Sequence, residues 1–318
     1  MEQIRTAVIG TGYLGRFHAQ KYAAIPHSRL VAVVDSNAES AERVAAECRT
    51  EALVDYRQIL GRVDAVSVVT PTQSHREIAA AFLEAGAHVL VEKPMTTTVA
   101  EADELIATAA RRGRVLQVGH LERFNAAILA LEGMLTVPRF IESNRLAPFR
   151  QRGTEVSVVL DLMIHDIDII QNIVRSPIVS IDAVGSSVFS GELDIANARL
   201  RFASGCVANT TASRVSLKTE RKLRLFQDDA YLSLDLHQKV MTLIRKGTGV
   251  GADGLPQVTI DERSFGDTDA LRLEIESFLE AVMTGRAPVV SGEDGRRALA
   301  TALQITEQVE RSLRSTGH

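Results

Sequence analysis

Residues 4–15 read I-R-T-A-V-I-G-T-G-Y-L-G, where a short apolar run leads into a turn with three glycines, Gly10, Gly12 and Gly15. The spacing G-x-G-x-x-G between a predicted strand and a predicted helix is typical of a dinucleotide-binding turn. The glycines allow a sharp turn, a close approach of the backbone to phosphates, and tight packing of the helix on the strand. We therefore predict that this turn binds a pyrophosphate at the helix N-terminus, and a purely connecting turn is the alternative. The predicted contact residues are Gly10, Thr11, Gly12, Tyr13, Leu14 and Gly15.

The next apolar run, L-V-A-V-V, ends at Asp35, about 20 residues beyond Gly15. A carboxylate at this interval accepts hydrogen bonds from the adenine ribose, although Asp35 could instead be a turn residue that caps the following helix. Ser36, a further candidate cofactor contact, follows Asp35, and no arginine stands beside them to neutralise a 2′-phosphate. The pattern therefore favours NAD over NADP.

From the N-terminus to residue 121, short runs of Val, Ile, Leu and Ala alternate with amphipathic segments of helical period. This pattern predicts an α/β Rossmann domain over 1–121, with a doubly wound parallel sheet. We expect the helix near 100–112 to begin at Thr97 or Thr98, with Glu101 in its first turn. The strand candidates are 6–9, 30–34, 65–69, 88–91 and 115–118, and helix candidates include 38–48 and 100–112.

Residues 122–318 have a different pattern and predict a second domain that combines helices with an open, mostly antiparallel sheet. Alternating apolar and polar residues between 177 and 261 predict strands with one covered face and one face available for oligomerisation. The glycines and aspartates around 247–267 suggest loops. Helices are expected at about 124–134, within the apolar stretch 155–174, and at about 270–284 and 293–313.

The composition is that of an ordinary globular protein: 318 residues, 45% hydrophobic and 24% charged, with a net charge of −4. This charge gives no reason to expect nucleic acid or an anionic membrane as partner. Cys48 and Cys206 lie in different predicted domains, which suits unpaired thiols in a reducing compartment, and we expect no metal site. The sequence shows neither a signal peptide nor an apolar run that could span a bilayer, so we expect a cytoplasmic protein.

The fourth strand candidate runs into E-K-P and places Glu92, Lys93 and Pro94 at the carboxyl edge of the sheet, where open α/β folds bind ligands. A lysine at a strand end is often only a solvated charge. Beside a nicotinamide ring, however, Lys93 could orient a substrate hydroxyl and stabilise the negative charge that develops on it.

The stretch V-V-L-D-L-M-I-H-D-I-D-I-I provides the second chemical group. On a regular helix, Asp161, His165 and Asp168 share one stripe, and buried polar groups of this kind are costly without partners. In the functional interpretation, His165 takes a proton and Asp161 fixes the tautomer and orientation of its imidazole. In the structural alternative, Asp161 and His165 are a pair that ties the helix to its neighbours.

Two further strand ends supply candidate residues near the cofactor and the substrate. In T-P-T-Q-S-H, backbone and hydroxyl groups could line the ribose and nicotinamide, although Thr72 could simply cap the next helix and His75 could be a packed side chain. After the last strand, the segment G-H-L-E-R-F-N lies at the domain junction. Its side chains could contact the substrate or merely bridge the domains. The residues concerned are Thr70, Pro71, Thr72, His75, His120, Arg123 and Asn125.

Taken in order, the glycine turn, T-P-T-Q-S-H, E-K-P and D-L-M-I-H-D-I-D resemble the motifs of the Gfo/Idh/MocA family of NAD(P)-dependent oxidoreductases, over nearly the whole chain. The resemblance implies that Lys93, Asp161 and His165 lie around the reacting carbon. It also implies a Rossmann domain followed by an α/β substrate-binding domain, whose open sheet forms homodimers or homotetramers.

Within the family, G-H-L-E-R-F-N followed by V-L-D-L-M-I-H-D-I-D is similar to the branch that oxidises UDP-N-acetylglucosamine to its 3-keto form. Oxidation of inositol, another polyol or a free sugar is the alternative, and a non-catalytic NAD-binding sensor is a second one. A nucleotide-sugar substrate needs basic groups for its diphosphate. The candidates are Arg123, Arg150, Arg152, Arg214, Lys218 and Arg221.

Overall fold

The computed structural model describes residues 3–150, 154–250, 254, 256–266 and 268–315. The chain divides into two compact units, one made of Met1–Leu121 and Asp269–Leu299 and the other of Glu122–Thr268 and Ala300–His318. No helix in the described part of the chain is long and apolar enough to cross a membrane. Arg152, one of the basic candidates, lies outside the described residues.

The first unit is built on a parallel sheet of six strands in the order β3-β2-β1-β4-β5-β6. This is the doubly wound order of a Rossmann fold, in which β1 and β4 lie side by side where the strand order reverses. The predicted fold class is confirmed. Its elements are β1 (Ile4–Ile9), α1 (Tyr13–Ala24), β2 (Ser28–Val34), α2 (Ala38–Cys48), β3 (Glu51–Leu53), β4 (Ala65–Val68), α3 (Thr72–Glu84), β5 (His88–Glu92), α4 (Val99–Arg112) and β6 (Leu116–Gly119).

The start of α4 confirms the predicted helix boundary. The Thr98 side chain accepts a hydrogen bond from the Glu101 N–H, and the Glu101 carboxylate accepts one from the Thr98 N–H in return. This reciprocal capping box satisfies backbone donors that a helix start otherwise leaves unpaired.

The second unit contains a mixed sheet of eight strands in the order β14-β13-β12-β11-β7-β10-β9-β8. Only the β7–β10 pair is parallel among the strand pairs described in this sheet, which confirms a mostly antiparallel arrangement. Its elements are α5 (Ala126–Leu129), β7 (Phe140–Leu146), α6 (Ile164–Val174), β8 (Ile178–Ser186), β9 (Ile195–Phe202), β10 (Val207–Ser213), β11 (Glu220–Phe226), β12 (Ala230–Asp235), β13 (Val240–Val250) and β14 (Pro256–Ser264).

Two helices complete the chain, α7 (Ala270–Thr284) and α8 (Gly292–Ser315). The sequence placed all residues after 121 in one second domain, but α7 belongs to the first unit. Its side chains Ile275, Phe278 and Leu279 are fully buried in a core that also contains Val8 and Leu90 of the parallel sheet. The amphipathic pattern of α7 shows that it packs on something, but not on which sheet it packs.

Two local predictions in the second unit were wrong and a third was right only in part. Within the segment 247–267, expected to form loops, Gly247, Gly249 and Asp261 lie in the strands β13 and β14, whereas Gly254 and Gly266 lie outside them. The helix expected at 124–134 is only the short α5, and Gly133 has a φ of 75°, which a helix does not contain. The apolar stretch 155–174 is not one regular helix, because a π-helix spans Val159–Met163 before α6 begins.

Candidate active site

The glycine turn after β1 has the shape that a pyrophosphate site requires. Gly10 has a φ of 96°, and a Cβ added there would lie 2.5 Å from the carbonyl oxygen of Val69. A Cβ at Gly15 would overlap the carbonyl oxygen of Gly10, so this glycine allows α1 to pack tightly on the strand. A Cβ at Gly12, by contrast, would meet nothing within 4 Å. The backbone at Gly12 therefore faces open space that phosphates can occupy.

The N-terminus of α1 follows this turn directly. Its N-cap residue is Gly12, no side chain caps the helix, and no acidic residue lies in the first turn. The N–H groups of the first turn and the helix dipole therefore favour a negatively charged group here. The residues present fit a dinucleotide pyrophosphate. Tyr13, at the first helical position, is 68% exposed and makes an edge-to-face contact with Phe17.

Asp35 lies at the end of β2 and is held against the glycine turn. One carboxylate oxygen accepts hydrogen bonds from the Thr11 N–H at 2.7 Å and the Thr11 hydroxyl at 3.0 Å, and the other accepts from the Asn37 N–H at 2.9 Å. A carboxylate offers about four acceptor positions, so capacity remains for a ribose hydroxyl. The side chain that caps α2 is Asn37, not Asp35, while Ser36 is exposed.

Sequence reasoning missed two residues near Asp35. Ser40 exchanges hydrogen bonds with Thr11, and the Arg43 guanidinium donates to the Ser40 hydroxyl at 3.2 Å. Neither residue is adjacent to Asp35 in the chain. A helical spacing of i to i+3 from Ser40 would have pointed to Arg43.

His75 connects the two strand-end segments that carry most of the other predicted cofactor contacts. Its Nε2 lies 2.7 Å from the carbonyl oxygen of Thr70, and its Nδ1 lies 3.0 Å from that of Pro94. Burial lowers the pKa of His75 below its ordinary value, while the two carbonyl groups and Glu92 oppose this effect. Thr72 does not cap α3, whose N-cap is Pro71 without a side-chain hydrogen bond.

The E-K-P segment lies at the carboxyl end of β5, and the Lys93–Pro94 peptide bond is cis. Lys93 is half-buried, whereas Glu92 turns into the interior and is 7% exposed. One Glu92 oxygen lies 3.3 Å from His18 Nε2, and the other accepts from the Lys93 N–H at 3.2 Å. These contacts place the Glu92 carboxylate within the protein interior rather than among groups directed at a ligand.

The second unit places Asp161 and His165 on consecutive turns of one helical segment. Asp161 lies inside the π-helix and His165 in the first turn of α6, and both are half-buried among apolar neighbours such as Met163 and Ile164. A π-helix bonds residue i to i+5, so the angles expected from a regular helix do not apply here. Single π turns frequently mark functional sites.

Asp168, expected on the same stripe, has another partner. Arg123 forms a two-pronged, buried ion pair with it, at 2.6 Å and 3.0 Å. A second buried arginine, Arg145, pairs with both Asp166 and Glu122 at 2.8 Å. Burial raises the pKa of Asp166, although Arg145 opposes this effect. These contacts tie the segment after β6 to α6.

Most of the remaining substrate candidates make contacts within the protein. The Asn125 side chain caps α5 and donates to the Leu236 carbonyl oxygen at 3.0 Å. His120, just after β6, is buried. Among the basic residues, Arg214 is buried and donates to two backbone carbonyl groups. Lys218 pairs with Glu220, and Arg221 pairs with Glu122 but is 45% exposed. Arg150 is exposed.

An exposed aromatic pair in the second unit was not predicted. The rings of Phe149 and Phe189 meet edge to face, with centroids 5.3 Å apart, and Phe189 is 66% exposed. The loop that carries Phe189 is fixed by Asp194, which accepts from the N–H groups of Val188, Phe189 and Ser190 at 2.6–2.9 Å. The sequence shows two isolated phenylalanines, and only the folded chain brings them together.

The predicted cofactor residues thus gather at one edge of the parallel sheet. The glycine turn, Asp35, the segment from Thr70 to Thr72 and the E-K-P segment follow the carboxyl ends of β1, β2, β4 and β5. This edge, at the point where the strand order reverses, is where open α/β sheets bind ligands.

Comparison with known proteins also indicates a Rossmann domain that binds a nicotinamide cofactor. Residues 4–120 match the model of the oxidoreductase family with an NAD-binding Rossmann fold, and residues 128–233 match the GFO/IDH/MocA C-terminal domain. The UDP-N-acetylglucosamine 3-dehydrogenase of Acidithiobacillus ferrooxidans is 43% identical, over 98% of this chain and 98% of that protein. Its solved structure has a TM-score of 0.92 and covers 98% of this chain and 99% of that one.

A more distant relative is the scyllo-inositol 2-dehydrogenase (NAD(+)) of Bacillus subtilis, which is 27% identical over 96% of this chain and 93% of that protein. The two domain matches and the full-length similarity agree with the glycine turn and with the order of the strands. The chain belongs to the Gfo/Idh/MocA family of NAD-binding oxidoreductases.

Proposed function

We propose that this protein is an NAD-dependent dehydrogenase that oxidises the 3-hydroxyl group of UDP-N-acetylglucosamine to a ketone. The observation that carries the proposal is the 43% identity over 98% of the chain with a dehydrogenase named for that substrate. The presence of Lys93, Asp161 and His165 supports it, because together they offer the groups that alcohol oxidation needs.

The proposed cofactor site consists of the residues around the glycine turn and the neighbouring strand ends. The open backbone at Gly12 and the uncapped N-terminus of α1 suit the pyrophosphate. Asp35 suits the ribose, and its negative charge disfavours the additional phosphate of NADP. When bound, the nicotinamide supplies the acceptor for a hydride.

In the proposed mechanism, oxidation removes a hydride and a proton from the same carbinol group and forms a C=O bond. His165 takes the hydroxyl proton, because an imidazole can gain a proton near neutral pH. Asp161 orients that imidazole, and the Lys93 ammonium stabilises the negative charge that develops on the oxygen. All three residues belong to the proposed catalytic set.

The proposed substrate contacts lie in the second unit. The exposed Phe149–Phe189 pair offers a surface for the uracil or the sugar, and exposed Arg150 is adjacent to Phe149 in the chain. We do not assign substrate binding to Arg123 or Asn125, because their described hydrogen bonds hold Asp168 and the Leu236 carbonyl group.

We further propose that the protein forms a homodimer or homotetramer through its eight-stranded sheet, in the cytoplasm. Val258 and Ile260 on β14 are 57% and 66% exposed, and exposed apolar side chains on a sheet are typical of an interface. Both Cys48 and Cys206 are free thiols, as a reducing compartment requires.

Inositol oxidation is a second candidate, favoured by full-length relatives at 26–27% identity that carry inositol dehydrogenase names. A panel assay separates the two. The purified protein is mixed with NAD and with UDP-N-acetylglucosamine, UDP-glucose, myo-inositol or scyllo-inositol, and reduced cofactor is followed by absorbance. We expect the highest kcat/KM with UDP-N-acetylglucosamine, and a higher value with an inositol would reject the nucleotide-sugar proposal.

A further inference from the structure

The first unit contains a buried cluster of two carboxyl groups and an imidazole that the proposed mechanism does not use. Glu92 ends β5, Glu274 lies on α7 and His18 lies on α1. His18 and Glu274 are fully buried and Glu92 is 7% exposed. One carboxylate oxygen of each glutamate and one ring nitrogen of His18 lie within 4.8 Å of one another.

Glu274 is the unusual member of the cluster. Neither of its side-chain oxygens accepts a hydrogen bond from any residue in the described part of the chain, and its neighbours Ile275 and Phe278 are core residues. An ionised carboxylate in such a place is strongly unfavourable because it loses its hydration. Burial and the nearby Glu92 raise the pKa of Glu274 well above its ordinary value. A protonated Glu274 becomes a hydrogen-bond donor with an acceptor close by.

Glu92 is surrounded by groups from several elements. His18 Nε2 of α1 lies 3.3 Å from it, and the Lys93 N–H donates to it at 3.2 Å. Behind His18, the Ser67 hydroxyl of β4 lies 3.1 Å from Nδ1 and 2.9 Å from the Tyr22 hydroxyl.

Neighbouring strands hold the backbone of Glu274 and leave space for the Glu92 carboxylate. Gln117 of β6 donates to the backbone carbonyl group of Glu274 at 3.2 Å, which holds α7 against the sheet. A Cβ added at Gly119 would lie 2.7 Å from a Glu92 oxygen, so the missing side chain leaves the space that Glu92 occupies.

We infer that Glu274 carries a proton that it shares with Glu92, and that this carboxyl pair positions the segment from which Lys93 projects. Two neighbouring buried carboxylates do not both ionise, whereas an acid and a carboxylate attract each other. Glu274 is thus a positioning residue that acts on Lys93 through Glu92. The positioning role of Glu274 rests on the function proposed above for Lys93. The protonation of Glu274 does not depend on that function.

The infrared spectrum of the wild type minus that of Glu274→Gln tests directly whether Glu274 carries a proton. We expect the C=O stretching band of a protonated carboxylic acid in the full-length wild-type protein at pH 8. The band should disappear in Glu274→Gln and remain in Glu280→Gln, which changes an exposed glutamate on the same helix. Absence of the band from the wild type, or a stoichiometric divalent metal in the purified protein, would overturn the inference.

Kinetics tests the positioning role. Glu274→Gln keeps a donor of similar shape and should keep kcat close to the wild-type value with the best substrate of the panel. Glu274→Met removes the donor and should lower kcat about 10- to 100-fold while NAD affinity is retained. Retention of NAD affinity shows that the variant folds. Wild-type kcat in Glu274→Met would reject the positioning role, whereas a failure of every alcohol in the panel would reject the proposed function and leave the infrared result standing.

Discussion

Lys93 lies at the end of β5, half-buried and next to a carboxylate that faces the interior. In the proposed mechanism, Lys93 stabilises the negative charge that develops on the substrate oxygen during the reaction. Lys93→Met should therefore lower kcat about 10²- to 10³-fold, the usual cost of removing one stabilising donor. NAD affinity, measured by fluorescence titration, should stay nearly unchanged.

The matched control for Lys93→Met is Lys246→Met, which removes an exposed lysine on β13. The control should behave as the wild type in both turnover and NAD binding. The catalytic assignment is wrong if Lys93→Met turns over normally or if its main defect is the loss of NAD binding.

Asp35 decides the predicted choice between the two nicotinamide cofactors. Asp35→Asn keeps an acceptor for the Thr11 N–H but removes the negative charge. We expect the ratio of kcat/KM for NAD to that for NADP to fall about tenfold. Glu39→Gln, which removes an exposed charge from the first turn of α2, is the control and should leave the ratio unchanged. An unchanged ratio in Asp35→Asn would assign the preference to other residues, with Arg43 the first to test.

At the scale of residues, the sequence predicted best where a function depends on local spacing. The glycine turn and Asp35 follow from distances along one βαβ unit, and the structure brings them together through Thr11. Arg123 shows the limit of this reasoning. Its two-pronged pairing with Asp168 joins residues far apart in the chain, and a spacing pattern does not reveal such a partner.

At the scale of elements, His75 holds together the segment after β4 and the segment after β5. His75→Ala would leave the buried carbonyl groups of Thr70 and Pro94 without this partner. We expect the free energy of unfolding to fall by about 1–3 kcal/mol, and NAD affinity to fall as well. Urea unfolding measures the first effect and fluorescence titration the second. His237→Ala, at an exposed position, should change neither. If NAD affinity is the same in His75→Ala as in the wild type, the link between the two segments does not matter for the cofactor.

The loop that carries Phe189 depends on Asp194. Burial alone would raise the pKa of Asp194, but the Ser190 hydroxyl and the backbone N–H groups of Phe189, Ser190 and Val188 lower it to about 2. Since an unfolded aspartate has a pKa of about 3.9, Asp194 stabilises the fold above that pH, and the contribution is lost as the pH falls towards 2. Asp194→Asn should cost about 2 kcal/mol at pH 7.

Urea unfolding at several pH values checks this prediction. The difference between wild type and Asp194→Asn should shrink as the pH falls from about 4 to 2, because the wild-type carboxylate becomes protonated over that range. Asp182→Asn, at an exposed position on β8, should show no such difference. A gap between wild type and Asp194→Asn that is constant with pH would contradict the cause assigned to the lowered pKa.

Element types were predictable where a periodic pattern was long, as in α2, α4 and α8. The β13–β14 hairpin was predicted only in part, because its glycines resemble loop residues, and pairing across the sheet makes Gly247 and Gly249 part of a strand. The π-helix at Val159–Met163 was missed, because a single inserted residue barely alters the apolar pattern of a helix. In the hairpin, contacts across the sheet override local preference, whereas the π-helix leaves too weak a trace in the sequence pattern.

At the scale of the whole molecule, the exposed apolar face of the eight-stranded sheet is the proposed oligomer interface. Ile260 of β14 pairs in register with Ile244 of β13, which pairs with Tyr231 of β12. Ile260→Lys would place a charge within this row and should shift the protein to a smaller assembly in light scattering. Thr259→Lys, at the adjacent exposed position whose side chain points to the other face of the sheet, is the control and should leave the assembly unchanged. A wild-type protein that is monomeric at all concentrations would reject the interface.

The proposed reaction transfers a hydride from carbon 3 of the sugar to NAD. UDP-N-acetylglucosamine labelled with deuterium at that carbon tests it most directly, with the reduced cofactor analysed by mass spectrometry after incubation with the wild-type protein. We predict that the reduced cofactor carries one deuterium and that the labelled substrate reacts more slowly. A reduced cofactor without deuterium, or no reduction of the cofactor at all, would contradict the proposed reaction.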